Sequence, residues 1–264
     1  MLIGKKSFVI KLLQSNRSLY VLRNFYKDTD KLFEKIEIET NSVCNRKCNF
    51  CPIATNTTRP MGLMKTELFY KILDELEEID FRGTVFLFRY GEPLLDKRLE
   101  QFTKDIAGKL KAKIAINTNG DLLDYKRFQS LLYSGMDIFN VTNYDSGVSD
   151  SLKDLFENIT KDEMSFINYE QKNENTLGLY NRGGSVKIKN DLYPISCNPM
   201  FAGVRHNGDV SVCCNDYYNE INFGNVNDKK LIDIWNSDEY KKFRKDIKWG
   251  KFRYNVCKKC VGIT

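Results

Sequence analysis

Between residues 35 and 180, short β-branched or aromatic runs alternate with longer amphipathic patterns of helical period. This alternation is typical of consecutive strand–helix units, which build a parallel sheet. It predicts strands at 35–39, 84–88, 113–117 and 138–142, and weaker strands near 164–167 and 176–180. About six such units are fewer than the eight of a closed barrel. We therefore expect an α/β fold built on an open, partial (β/α)6 barrel.

Helices are predicted between these strands. Thr66 is expected to cap the first helix, a later one covers 125–133 and ends before Gly135, and another covers 152–159. Strands and helices of this length, in strict alternation, leave the carboxyl ends of the strands on one edge of the sheet. Barrel active sites form at that edge, so polar residues there are candidates for function.

After residue 190 the pattern changes. Residues 204–213 predict a hairpin that turns at Asn207-Gly208, and a single helix from Leu231 to Phe243 follows. The predicted domains are an N-terminal amphipathic helical extension (1–34), a core (35–190) and a C-terminal domain (191–264). The extension is expected to pack on the core, and a membrane surface or a partner is the alternative for its basic face.

The eight cysteines fall into two groups, with none between Cys51 and Cys197. The N-terminus lacks a long apolar run with a cleavage site, and no apolar stretch approaches the roughly 18 to 20 residues of a bilayer span. We expect a cytoplasmic, reduced chain without a transmembrane segment, in which clustered cysteines bind metal. Residues 1–36 carry +5 of the formal charge of +6. The nearly neutral remainder argues against a broad face that binds nucleic acid.

Cys44, Cys48 and Cys51 place three thiolates within eight residues, in a loop after the first predicted strand. A structural zinc site needs four closed ligands, so three close thiolates leave one coordination position open. A cubic iron-sulfur cluster held by three cysteines has one iron free to bind a small molecule. A structural zinc site is the alternative.

This spacing, with Phe50 just before Cys51, resembles the signature of the radical S-adenosylmethionine superfamily. The resemblance implies a redox-active [4Fe-4S] cluster whose free iron chelates the amino and carboxylate groups of S-adenosylmethionine. It also implies that an electron from the cluster cleaves the sulfonium, and that the resulting 5'-deoxyadenosyl radical removes a hydrogen atom from the substrate.

The second predicted strand ends in Arg89-Tyr90-Gly91-Glu92-Pro93. This segment is similar to the Gly-Gly-Glu-Pro segment of the superfamily, with Tyr90 in place of the first glycine. The resemblance implies that Tyr90, Gly91, Glu92 and Pro93 form an edge that binds the methionine amino group of the cofactor.

Cys197, Cys213, Cys257 and Cys260 are enough to satisfy a metal completely. Their order resembles the SPASM/Twitch extension of radical S-adenosylmethionine enzymes, which implies a second [4Fe-4S] cluster. A fully ligated cluster has no iron free for substrate, so its expected chemistry is to accept or relay an electron. Four cysteines also suit zinc, which is the competing interpretation. Cys214 could replace Cys213 as a ligand, but it is expected to be a small buried side chain.

Four further residues match positions of functional residues in these enzymes. Asn117, Asn119 and Thr142 follow predicted strands where the superfamily contacts the ribose and carboxylate of the cofactor, and ordinary polar turns are the alternative. Arg182 lies in an Asn-Arg-Gly element like one of this subfamily, and is the candidate catalytic residue, as a substrate clamp or radical stabiliser. A surface salt bridge is its alternative. His206 is expected to face solvent.

In length and cluster count the chain resembles short radical dehydrogenases of the 2-deoxy-scyllo-inosamine dehydrogenase type. This implies an oxidoreductase that abstracts hydrogen from a sugar or cyclitol and dehydrogenates an alcohol, with the auxiliary cluster accepting an electron, or that isomerises its substrate. The implied partners are the small-molecule substrate and a reducing protein such as flavodoxin or ferredoxin. The alternatives are radical modification of a peptide or protein, and a non-catalytic metal-binding module.

Overall fold

The computed structural model describes residues 28–55, 58–172, 181–187, 197 and 200–263. The first 27 residues of the predicted extension and the expected strand at 176–180 lie outside them. Within the described residues, eight strands form one sheet. They are β1 (Lys35–Ile38), β2 (Thr84–Phe86), β3 (Lys113–Thr118), β4 (Ile138–Asn143), β5 (Ile167–Gln171), β6 (Phe201–Val204), β7 (Asp209–Ser211) and β8 (Asn222–Asn225). Their order across the sheet is β5-β4-β3-β2-β1-β6-β7-β8.

The strands from β5 to β6 in this order are parallel, whereas β7 and β8 pair antiparallel. The α-helices of the described chain are α1 (Pro52–Thr55), α2 (Thr66–Glu78), α3 (Leu99–Lys109), α4 (Tyr125–Tyr133), α5 (Asp150–Asn158), α6 (Leu231–Asn236), α7 (Asp238–Lys248) and α8 (Asn255–Val261). Helices α2 to α5 connect successive strands from β1 to β5. The predicted α/β fold with a partial (β/α)6 barrel is confirmed.

The helices α2 and α3 pack through their apolar faces. Phe69 of α2 stacks on Phe102 of α3 with ring centroids 3.8 Å apart, and both side chains are almost fully buried. Burying a side chain of this size contributes about 1.5 to 3 kcal/mol. Lys65, not Thr66, is the N-cap residue of α2, so the predicted cap is wrong. Thr66 is the first helical residue, and its hydroxyl accepts a hydrogen bond from Arg98 instead.

Strand β6 makes the C-terminal region part of the barrel sheet. It pairs in parallel with β1, from Lys35 opposite Phe201 to Ile38 opposite Val204. The predicted hairpin is present, and its turn at Asn207-Gly208 places Gly208 at φ 93°. Its first arm begins at Phe201, before the predicted start, because β1 offers a hydrogen-bonding edge that the sequence does not reveal. The domain boundary near residue 190 stays a prediction.

Two other elements differ from expectation. A 3-10 turn covers Glu163–Phe166, and the strand predicted there begins after it, at Ile167. The single predicted C-terminal helix is two helices, α6 and α7, because the Ser237 hydroxyl accepts a hydrogen bond from Tyr240 N and caps a new helix. Among the described helices, none combines the length and apolar character needed to cross a bilayer.

Residues 28–34 pack against the C-terminal helices. The indole of Trp235 donates to Lys31 O at 3.1 Å, and Arg244 Nε donates to Thr29 O at 3.0 Å. Phe33 is 2% exposed, and its ring centroid lies 5.2 Å from that of Trp235. This part of the predicted extension therefore packs on the body of the protein.

Candidate active site

A cavity of about 360 Å³ opens at the carboxyl ends of the parallel strands, and we call it the large cavity. The residues predicted for the site that line it are Cys44, Cys48, Phe50, Cys51, Tyr90, Gly91, Glu92, Asn117, Asn119, Thr142 and Arg182. Pro93 is not on its wall, because it begins a buried 3-10 turn, Pro93–Leu95. The fold therefore brings together side chains from the cysteine loop, three strand ends and the segment before Cys197.

The three thiols of the cysteine loop are half-buried. Burial raises the pKa of Cys44 and Cys51, and raises that of Cys48 to about 11. The thiols are therefore protonated at neutral pH unless a cation stabilises the thiolates, and metal binding must release their protons.

An ion-pair network anchors the cysteine loop to the strand ends. Arg46 pairs with Asp121, which follows β3, and lies 2.8 Å from Asp145 Oδ2, which follows β4. Asn45 Oδ1 accepts from Asn119 Nδ2 at 2.8 Å. The Asn119 side chain, predicted to contact the cofactor, is thus engaged in positioning the loop.

Glu92 joins the ends of β2 and β3. Its carboxylate is 2% exposed, and it accepts hydrogen bonds from Leu94 N at 3.1 Å, Thr118 Oγ1 at 2.7 Å and Asn119 N at 3.0 Å. Burial raises the pKa of Glu92 to about 6, although these hydrogen bonds oppose the increase. Gly91 is required beside it, since a Cβ would meet the backbone oxygen of Asn41. The Glu92 carboxylate therefore holds the segment after β2 against the end of β3.

Three charged residues on the cavity wall were missed from the sequence, namely Arg46, Glu37 and Arg89. Arg89 donates to Glu37 Oε2 at 3.0 Å, to Ser211 Oγ at 2.5 Å and to Cys213 O at 2.5 Å, and its side chain is 1% exposed. Burial raises the pKa of Glu37 to about 8, although the Arg89 charge lowers it. The sequence signal that could have found Glu37 is a carboxylate inside a strand of a parallel sheet, where both faces are normally apolar.

Arg182 enters the large cavity from a left-handed turn. It has φ 48°, and Gly183 and Gly184 follow at 64° and 88°. Such strain in a non-glycine residue is typical of functional sites. A Cβ on Gly183 would collide with Val256 of α8, so only glycine lets the turn pack there. Arg182 Nη1 donates to Asn215 Oδ1 at 3.2 Å, and among the described residues no carboxylate forms an ion pair with it.

The second cysteine group surrounds a cavity of about 20 Å³, which we call the small cavity. Its wall holds all four predicted thiols together with apolar side chains of Ile221, Phe252, Val256 and Val261, and the thiols are Cys197, Cys213, Cys257 and Cys260. Burial raises the pKa of Cys257 and Cys260.

Cys214 stands apart from this group. It is exposed and lines the large cavity, so the expectation of a buried side chain is wrong. Cys213 lines the small cavity and Cys214 the large one, although the two thiols hydrogen-bond to each other where the walls of the cavities meet.

Models of two known families match the chain. The radical SAM superfamily matches residues 38–143, and an iron-sulfur cluster-binding domain of the SPASM type matches residues 197–261. The S-adenosyl-L-methionine-dependent 2-deoxy-scyllo-inosamine dehydrogenase of Niallia circulans is 32% identical over 244 residues, which are 89% of this chain and 95% of that protein. The chain belongs to the radical SAM superfamily. It is an enzyme of the oxidoreductase class, and the alternative of a non-catalytic metal-binding module is excluded.

Solved structures agree with this assignment. The crystal structure of BtrN in complex with AdoMet and 2-DOIA has a TM-score of 0.78 and is 33% identical, covering 86% of this chain and 92% of BtrN. BtrN in an open conformation has a TM-score of 0.68 at 29% identity, covering 88% of this chain and 93% of that one. The radical SAM chain described here is therefore more similar to the ligand-bound form.

Membership in the radical SAM superfamily implies a [4Fe-4S] cluster and S-adenosylmethionine, and the match to the SPASM-type domain implies further iron-sulfur clusters. The zinc interpretation of the second cysteine group is thereby overturned. The donors fit these groups, since soft thiols line both cavities. Among the described residues, no three or more metal-binding side chains converge on a single ion position. A cluster of several irons needs no such convergence, because its ligands surround a wider core.

His206 does not face solvent, which corrects the expectation. Its side chain is 10% exposed, and Nδ1 lies 3.3 Å from Glu39 Oε2. Glu39 also pairs with the buried Arg59. Burial would raise the pKa of Glu39, but the His206 hydrogen bond and the Arg59 charge lower it to about 2. No local pattern in the sequence predicts this network, because Glu39 and His206 meet only when β1 and β6 pair.

Proposed function

We propose that this radical SAM enzyme oxidises a secondary alcohol of a small cyclic polyol or amino polyol to a ketone. The observation that carries the proposal is the placement of Cys213 and Cys214, which are adjacent in the chain and line the small and the large cavity respectively. An electron acceptor in the small cavity would therefore adjoin the substrate. The similarity to a dehydrogenase of 2-deoxy-scyllo-inosamine supports this class of small substrate over a peptide.

The reaction removes two electrons and two protons from a carbon and its hydroxyl. When bound, S-adenosylmethionine and the first cluster would supply the radical chemistry that takes one hydrogen atom from the carbon, and the auxiliary cluster would accept the remaining electron. The remaining proton leaves the hydroxyl. The chain must therefore hold the hydroxyl carbon near the cysteine loop and accept its proton.

The thiols on the two cavity walls support the proposed ligand sets. Cys44, Cys48 and Cys51 hold the first cluster and leave one iron for S-adenosylmethionine. The auxiliary cluster is held by Cys197, Cys213, Cys257 and Cys260. The position of Cys214 on the other wall supports Cys213 as the ligand.

Arg182 and Glu37 are the substrate-facing groups of this proposal. The guanidinium of Arg182 keeps its proton, so it orients the hydroxyl as a donor. Glu37 lies on the same cavity wall, and Arg89 fixes its Oε2 atom. A carboxyl with a pKa near 8 is suited to take up the hydroxyl proton, and it does so only when ionised.

The first cluster needs one electron per turnover from outside the chain. A small reducing protein such as flavodoxin or ferredoxin is the proposed source. The expected cytoplasmic location stays a prediction.

The test is an anaerobic assay of reconstituted enzyme with 2-deoxy-scyllo-inosamine, related aminocyclitols and a peptide panel. We expect a cyclitol product that has lost two hydrogen atoms, together with 5'-deoxyadenosine, as measured by mass spectrometry. A product found only with peptides would overturn the proposal.

The role of Glu37 is tested with Glu37→Gln, which keeps the shape of the side chain and the contact with Arg89. We expect ketone formation to fall by about 100-fold, while 5'-deoxyadenosine release persists. In the wild type, ketone formation should rise as the pH increases through about 8, because the carboxyl must lose its proton to act as a base. Glu157→Gln, at an exposed position of α5, is the matched control.

A further inference from the structure

Asn215 lines the small cavity and contacts Arg182, which lines the large cavity. Its backbone N–H donates to Cys213 Sγ at 3.3 Å, and its side-chain Nδ2 donates to Cys260 Sγ at 3.3 Å. Its Oδ1 accepts from Arg182 Nη1 at 3.2 Å. One residue thus bonds two proposed cluster ligands and the proposed substrate clamp.

Packing holds Asn215 in this place. A Cβ on Gly183 would lie 2.9 Å from Asn215 O, so the left-handed turn that carries Arg182 rests directly on the Asn215 backbone. The same turn contacts Val256 of α8, the helix that carries Cys257 and Cys260. Arg182 cannot move relative to the small cavity without disturbing Asn215.

Hydrogen bonds to the ligand sulfurs change the reduction potential of an iron-sulfur cluster. They stabilise the reduced form more than the oxidised form, because reduction adds negative charge that the sulfurs share. The positive Arg182 polarises the amide of Asn215 through Oδ1 and strengthens its N–H donors. The two contacts of the amide therefore reinforce each other.

We propose that Asn215 is a positioning residue that raises the reduction potential of the auxiliary cluster and holds Arg182 towards the substrate. The inference rests on the proposed function for the ligand assignment and for the role of Arg182. Asn215 makes the cluster a better acceptor at the place where the substrate must release its electron.

Two substitutions separate the contacts. Asn215→Leu has a similar volume and removes both side-chain hydrogen bonds. Asn215→Asp keeps an acceptor for Arg182, but it replaces the donor to Cys260 with a negative charge. The backbone donor to Cys213 remains in both. Asn158→Leu, at an exposed position of α5, is the control.

The measurement is a redox titration of both clusters in the full-length holoenzyme, followed by electron paramagnetic resonance. We expect the auxiliary midpoint potential to shift downward in Asn215→Leu and further downward in Asn215→Asp, with the first cluster and the control unchanged. The KM for 2-deoxy-scyllo-inosamine should rise in Asn215→Leu and stay near the wild-type value in Asn215→Asp. Ketone formation should fall by about 10- to 100-fold in Asn215→Leu.

Unchanged auxiliary potentials in both variants, at full iron content, would overturn the inference. A shift in Asn215→Asp alone would also overturn it, because the added charge and not the lost hydrogen bond would then be the cause. Selective loss of the auxiliary iron from Asn215→Leu would support it, and Asn215→Asp would then carry the potential measurement. If the wild type oxidises no cyclitol, the proposed function fails, but the potentials still decide the role of Asn215.

Discussion

The two cysteine-lined cavities differ in size and in the chemistry of their walls. The large cavity, of about 360 Å³, combines three thiols with polar strand ends and the charged residues Glu37, Arg46 and Arg182. The small cavity, of about 20 Å³, combines four thiols with apolar side chains. Space and polar walls suit the binding and reaction of a substrate. A narrow wall of thiols and mostly apolar side chains suits a centre that only exchanges electrons.

This difference teaches that cysteine count alone does not assign a role. The large cavity lies where parallel strands end, so the four strands β1 to β4 bring different side chains to it. The small cavity lies between the loop that follows β7 and helix α8, which contribute thiols, apolar side chains, Asn215 and Asp216. The surrounding elements decide which centre meets the substrate.

The largest expected effect comes from replacing Cys44, Cys48 and Cys51 together with Ala. Release of 5'-deoxyadenosine should be abolished, because no thiol is left to hold the first cluster. The iron content should fall from about eight to about four atoms per chain if both clusters are cubic. Anaerobic iron analysis and chromatography of the nucleoside test this. Loss of all iron would show that the two centres do not assemble independently.

The next largest effect is expected from Cys213→Ala, compared with Cys214→Ala. These substitutions remove neighbouring thiols that line the small and the large cavity respectively. Cys213→Ala should lose the auxiliary cluster and ketone formation while it retains 5'-deoxyadenosine release. Cys214→Ala should keep the iron of both clusters. Iron content that falls only in Cys214→Ala would reverse the proposed ligand assignment.

A third prediction concerns the end of β1, where Glu39 pairs with Arg59 and lies close to His206. Glu39→Gln should lower the free energy of unfolding by about 3 to 5 kcal/mol near neutral pH, because it leaves Arg59 buried without its charge partner. The pKa of Glu39 is about 2 in the fold, against an ordinary value of 4.5. Its contribution is therefore present above about pH 4.5 and is lost as the pH falls towards 2.

Denaturant unfolding of both proteins at several pH values checks this. The difference between wild type and Glu39→Gln should shrink as the pH is lowered from 4.5 towards 2. A difference that is constant with pH would show that the Glu39 charge is not involved.

The smallest effect is expected from Gly183→Ala. The new Cβ would collide with Val256 and strain a residue at φ 64°, which should cost about 1 to 3 kcal/mol of stability. Because this turn carries Arg182, the KM of the substrate should also rise. Gly108→Ala is the control, since its Cβ would meet nothing within 4 Å. Equal melting temperatures for the two variants would contradict the packing described for the turn.

The sequence predicted much of the fold, because local patterns carry it. Helix α4 was predicted at 125–133, which are its observed bounds, and strands β1 to β4 begin at their predicted first residues. Strand β6 was recognised only as part of a hairpin, because its pairing with β1 joins residues far apart in the chain.

The cysteines and strand-end motifs of the site were also predicted, since their spacing is local. Arg89, Glu37 and Asn215 were not. The partners of Arg89 lie 52, 122 and 124 residues away, and no spacing rule connects them. Cys214 was misjudged because the large cavity that it lines is built from residues far apart in the chain, from Glu37 to Arg182.

Strand β6 has a consequence for how such enzymes can change over time. It covers one edge of β1, so a chain that ends before residue 200 would expose unpaired backbone groups of a central strand. Such a fragment would tend to associate with other chains. A descendant of this protein could therefore lose its second metal centre through point mutations of cysteines, but it could not discard the segment that carries that centre.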